Sequence, residues 1–140
     1  DRKKDLIVTS GGINVAPQHV ENLLETEPFI GQAMVYGDRR PYPIALVTLD
    51  SGELVRFARE RGILVGDPAA LARHPAVVER VARIVDATNM QLPSYARIKK
   101  FAVLPAELSE DAGELTPTQK VRRRSVAAKY QATIDALYRD

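Results

Sequence analysis

The chain has no cysteine among its 140 residues, which excludes any disulfide. That composition is compatible with a reducing cytosol, and a cytoplasmic location is expected. Charge of one sign is also scarce. The 20 lysines and arginines against 18 aspartates and glutamates leave a net +2, too little to argue for nucleic acid as a partner. Long apolar runs are missing: the run at 44–47 is far short of a membrane span, and no signal-peptide pattern is seen. The sequence shows no internal repeat, low-complexity segment, P-loop, dinucleotide-binding glycine fingerprint or Ser/His/Asp arrangement. His19 and His74 are far apart, with no cysteine or paired carboxylate at ligand spacing. Surface or capping roles are expected for both, and no metal site. Glu107, Glu110, Asp111 and Glu114 read as a solvated loop rather than a catalytic pair.

What is present is enough for one domain of ordinary size, since 45% hydrophobic residues can bury a real core. The chain opens on Asp1, not Met, and the expectation is a piece of a longer protein. Two short β-prone runs, 6–8 and 13–15, flank Thr9-Ser10-Gly11-Gly12 and predict a hairpin. Pro17 opens a helix with Val20, Leu23 and Leu24 as its apolar stripe. Buried strands are expected at 29–36 and 44–49, joined by the turn-rich 37–43. A helix capped by Ser51 runs to about 61 and ends at Gly62; a short helical turn follows at 69–73. From Pro75 a longer helix sets Val77, Val81, Ile84, Val85 and Thr88 on one face, with Glu79 and Arg83 paired outside. Tyr95 and Arg97 are expected to hold the approach to a third strand at 98–104. Residues 105–113 form a polar loop, 114–116 pair back as a short strand, and one last helix covers 124–138 with Val126, Ala127, Tyr130, Ile134 and Leu137 inward. The expected fold is α+β: a small mixed sheet with flanking helices and a protruding N-terminal β-hairpin.

Two segments carry chemistry, and both fall on turns, where function concentrates. The first is Asp1-Arg2-Lys3-Lys4-Asp5 leading into the hairpin. On residue types alone it reads first as a solvated basic terminus before an ordinary Gly-Gly turn, since such turns are common. The second is Leu115-Thr116-Pro117-Thr118-Gln119-Lys120, followed by Val121 and three arginines. It holds one lysine in a loop braced by Pro117, Thr116 and Thr118. An ammonium on a flexible stem suits a phosphate or carboxylate that is present only transiently. The same residues also read as a solvated basic helix start, although helix starts favour anions. As a nucleic-acid patch, Arg122–Arg124 lack interleaved aromatics.

Taken together and in this order, the two segments resemble the C-terminal domain of the acyl-adenylate-forming enzymes. The runs Asp-Arg-Lys-Lys-Asp at 1–5, Gly-Gly-Ile-Asn-Val-Ala-Pro at 11–17, Leu-Pro-Ser-Tyr at 92–95 and Glu-Leu-Thr-Pro-Thr at 114–118 are most similar to long-chain fatty acyl-CoA synthetases. The resemblance implies that 1–140 is a single mobile C-terminal domain with a hinge near 2–5, and that Arg2 and Lys4 take the hinge positions. A large N-terminal domain binding ATP and the acyl group would belong to the parent enzyme and not to this chain. It further implies that Lys120 is the adenylation lysine on a loop shaped by Thr116, Pro117 and Thr118, and that the pantetheine arm of CoA passes Ser10, Gly11 and Gly12. The cofactors implied are ATP, Mg²⁺ and CoA, bound mainly by the other domain. The partners implied are that domain, a fatty acid and CoA, without nucleic acid; peripheral membrane association of the parent is compatible with this. The isolated domain should be inactive. Some relatives carry a lysine in the first hairpin strand where this chain has Val8, so no role of that lysine carries over. Two alternatives stand beside this: a ligase for another carboxylic acid, and a non-catalytic interaction module of the same fold.

Overall fold

The computed structural model describes residues 6–139. Strands β1 (Ile7–Val8) and β2 (Asn14–Val15) pair antiparallel as the expected hairpin. Its tip at Ser10, Gly11 and Gly12 is exposed, while Ile7 and Val15 are buried. Gly12 has φ +81°, the left-handed turn conformation that glycine adopts without a Cβ penalty.

Helix α1 (Pro17–Glu25) follows, then β3 (Ile30–Tyr36) and β4 (Ile44–Leu49), which pair antiparallel. The register shifts between Ile30 and Ala33. Gly31 lies in this irregular stretch, where an added Cβ would lie 2.9 Å from Thr48 Oγ1 and 3.3 Å from the Leu49 carbonyl carbon, so a larger residue would force a shift. Three helices then cross over: α2 (Ser51–Glu60), α3 (Pro68–Ala72) and α4 (Pro75–Asn89). They deliver β5 (Lys100–Val103) parallel to β4, in the sheet order β3-β4-β5. The sheet is therefore mixed, as expected.

Local chemistry sets the helix starts. The carboxylate of Asp50 accepts the Glu53 N–H at 3.0 Å, so Asp50 caps α2 and Ser51 is already helical. The Ser51 hydroxyl instead donates to Glu107 Oε2. Asp67 caps α3, which begins at Pro68, one residue before the expected turn. His74 accepts the Ala76 N–H through Nδ1 at 3.1 Å, the expected capping role. β5 is shorter than expected because the Asn89 amide brackets Ile98, accepting its N–H and donating to its carbonyl. The last helix is two helices, α5 (Arg123–Lys129) and α6 (Gln131–Tyr138), broken at Tyr130 with φ −108° and ψ 27°. Residues 114–116 form no strand; pairing there is a single Leu115–Val121 bridge.

Alternation along the strands splits the interior into two cores. Ala33, Val35, Ala45, Val47 and Leu49 face the larger one, built with α1, α2, α3, α4 and the hairpin residues Ile7 and Val15. Met34, Ile44 and Leu46 face the smaller one, closed by Leu108, Leu115, Val126 and Ile134. β4 is buried throughout, as a central strand covered on both faces must be. Among the described residues, no helix is long and apolar enough to cross a membrane.

Candidate functional site

Lys120 closes a tight turn. The Thr116 carbonyl accepts the Gln119 N–H at 2.8 Å, and the Thr116 N–H donates to the Lys120 carbonyl at 2.8 Å. The Thr116 hydroxyl accepts the Lys120 N–H at 3.1 Å and lies 3.1 Å from the Thr118 hydroxyl. Pro117 has the fixed φ that the first corner of such a turn requires. Gln119 sits at φ +66°, a left-handed conformation that costs a non-glycine residue about 1–2 kcal/mol. Its side chain donates to Glu110 Oε2 at 2.6 Å, which holds the turn from outside. The Lys120 side chain is exposed, and its ammonium has no partner among the described residues. It borders an open polar groove of about 520 Å³, shared with Gln18, Asn22 and Glu25 of α1 and with Arg123. A hydrogen-bonded turn thus presents an exposed cation to that groove and to solvent.

The acidic segment beside the turn is not simply solvated. Glu114 is buried; it accepts the Ser109 N–H at 3.0 Å and pairs with Lys129 of α5 at 2.7 Å. The pairing raises the Lys129 ammonium above its ordinary pKa. Glu107 binds the start of α2, and Glu110 braces Gln119. These carboxylates are structural.

The far wall of the groove is the edge of the sheet. β3 is an edge strand, and the outward N–H groups of Ala33 and Val35 need acceptors. Glu25 and Glu21, one turn apart on α1, supply them at 2.9 and 2.7 Å. Burial is the main reason the Glu25 pKa lies above the ordinary glutamate value; the Ala33 N–H opposes the shift and the nearby Glu21 charge adds to it. Glu21 is also gripped by Arg123 through two 2.6 Å bonds. Sequence reading singled out only the apolar stripe of α1 and missed both glutamates, whose partners are set by packing against the strand edge.

The hairpin is tied to the turn between β3 and β4. Ser10 N–H donates to the Arg40 carbonyl, Arg39 N–H to the Val8 carbonyl and Val8 N–H to Asp38 Oδ1, at 2.8–3.0 Å. Arg40 in turn lies 4.5 Å over the Tyr138 ring and pairs with Asp135 of α6. Burial pushes the Tyr138 hydroxyl pKa up, and that hydroxyl donates to the Tyr42 carbonyl. Around Gly11 and Gly12 an added Cβ would meet nothing within 4 Å, so the tip is open. Of the other expected positions, Arg97 does hold the approach to β5, donating to the Asn89 and Leu92 carbonyls, whereas Tyr95 is exposed. Arg2 and Lys4 lie outside the described residues.

The family "AMP-binding enzyme C-terminal domain" is matched over residues 4–140. The chain is 42% identical over 141 residues to the long-chain-fatty-acid–CoA ligase FadD15 of Mycobacterium tuberculosis, covering 98% of this chain and 23% of that protein. It is likewise 42% identical over 139 residues to the putative fatty-acid–CoA ligase fadD11 of the same species, covering 99% of this chain and 24% of the relative. Among solved structures, the adenylation domain of a carboxylate reductase from Mycobacterium chelonae superposes with a TM-score of 0.73 at 26% identity, covering 100% of this chain and 20% of that one. Fold and sequence agree, and the chain belongs to the AMP-binding enzyme C-terminal domain family. It spans less than a quarter of the length of these curated relatives.

Proposed function

We propose that this chain is the mobile C-terminal domain of an ATP-dependent long-chain fatty acid–CoA ligase, and that Lys120 is its adenylation lysine. The observation that carries the reading is an ammonium without a partner among the described residues, held on a turn that is itself fixed by four hydrogen bonds and an αL residue. In adenylate formation a carboxylate oxygen attacks the α-phosphorus of ATP and the bond to pyrophosphate breaks. Two anions meet, and negative charge concentrates on the phosphoryl oxygens. A cation delivered to that point stabilises the transition state more than the ground state. Lys120 fits the role in charge and reach, while Thr116, Pro117 and Thr118 fix its base. Mg²⁺, if used, would be held with ATP mainly by the other domain of the enzyme.

In the second half-reaction the CoA thiol displaces AMP from the acyl-adenylate. The open, Cβ-free tip at Gly11 and Gly12, beside Ser10, suits the passage of a narrow pantetheine arm. Arg2 and Lys4 would serve the hinge between the two poses. The long-chain substrate is inferred from the name of the 42% identical FadD15, because the acyl pocket would belong to the other domain.

The test uses the full-length enzyme and assays the two half-reactions separately. Lys120→Ala should lower adenylation on the order of 10²–10³-fold, as loss of a preorganised charge-stabilising group does. Thioester formation from supplied acyl-adenylate should survive. Both half-reactions remaining intact would refute the assignment.

A further inference from the structure

We infer that Glu21 and Arg123 are positioning residues for Lys120, clipping the outgoing arm of its turn to α1 across the edge of β3. The inference rests on the reading of Lys120 given above.

The two arms of the turn are anchored differently. The incoming arm ends in Leu115, buried in the smaller core, next to the buried Glu114. The outgoing arm has no buried apolar residue until Val126: Val121 is half-buried, and Arg122, Arg124 and Ser125 are exposed. Arg123 anchors this arm. Its two terminal nitrogens reach the two Glu21 oxygens at 2.6 Å each, and Nη1 lies 3.4 Å from the Val35 carbonyl. Glu21 is only 8% exposed and is fixed by the Val35 N–H as well. A planar fork on a carboxylate defines direction as well as distance, which a single lysine contact does not.

The molecule supplies its own comparison. Glu25 covers the next outward N–H of β3, that of Ala33, with no cation paired to it among the described residues. Covering an outward N–H of β3 therefore requires a carboxylate and not an arginine, although Arg123 also reaches the Val35 carbonyl at 3.4 Å. The arginine at Glu21 does something further, and it stands three residues beyond Lys120. Ion pairs this deep contribute little net stability, so fixing geometry is the better account of this one. Displacements of about 1 Å at a reacting centre can lower rates roughly 10²-fold, so a loosened arm would register in the chemistry.

The experiment compares Glu21→Gln, Arg123→Lys and Lys120→Ala in the full-length enzyme, alone and combined. Glutamine keeps an acceptor for the Val35 N–H while removing the charge. Glu21→Gln and Arg123→Lys should each lower kcat of adenylation about tenfold, within the range such misplacement produces. KM for ATP and acid should hold, as should thioester formation from supplied acyl-adenylate. Added to Lys120→Ala, Glu21→Gln should cause no further loss, the non-additivity of residues acting through one group. Unchanged adenylation in both single variants would overturn the inference. So would a parallel fall of both half-reactions with a lowered unfolding midpoint, which marks a merely structural pair. If Lys120→Ala itself leaves adenylation intact, the underlying reading fails and takes this one with it.

Discussion

Glu21 and Glu25 stand one helical turn apart and accept neighbouring backbone N–H groups, yet their electrostatic situations differ. Glu25 is desolvated without a cation among the described residues, and its folded pKa is raised. The folded state then holds that proton more tightly than the unfolded chain does. Any contribution of Glu25 to stability falls as pH rises from the ordinary glutamate value through the raised folded one. Glu25→Gln keeps an acceptor for Ala33 and removes the ionisation. It should leave stability unchanged at acid pH and equal or improve it at neutral pH, read from urea midpoints across that range. A variant that loses more stability at neutral than at acid pH would contradict the assignment.

At the scale of elements, the helix caps make the clearest case. Ser51 is the cap expected from the sequence, and the structure gives that role to the neighbouring Asp50 carboxylate. Asp50→Ala should destabilise the domain by about 1 kcal/mol, the usual loss at such a position. Ser51→Ala, at an exposed contact with Glu107, should stay within about 0.5 kcal/mol. Denaturant midpoints of the two variants decide this, and equal losses would count against Asp50 as the cap. The strands β3 and β4, the helix from Pro75 and the Gly-Gly hairpin were legible in the sequence because apolar periodicity and turn residues report local geometry directly. The break at Tyr130 was not. Val126, Tyr130, Ile134 and Leu137 keep a helical spacing across it, and neither glycine nor proline marks it. Likewise the Lys120 turn was legible from Thr116-Pro117-Thr118, whereas Glu21 and Arg123, 102 residues apart, carry no local trace of their meeting. Nor did the acidic run reveal that Glu114 is buried against Lys129, since partners are set by tertiary packing.

For the whole molecule, the sheet has a packed core on each face, which is the architecture of a domain able to fold alone. Residues 1–140 in isolation should therefore unfold in one cooperative transition and yet form no acyl-CoA from ATP, fatty acid and CoA. Turnover by the purified domain would overturn the proposal that ATP and the acyl group bind elsewhere in the enzyme.

Strand β4 has one further consequence. The hairpin is rooted in the core on one side of it and the Lys120 turn in the core on the other, with Arg123 and Glu21 bridging round the sheet edge. The two loops are thus fixtures on a single lever. If the proposed function holds, any swing that carried one towards a bound substrate would carry the other by the same angle, with no need for either to refold. Timing between the two proposed steps would then be set by one rotation, and a crosslink that stopped the rotation would leave such an enzyme with half of its reaction.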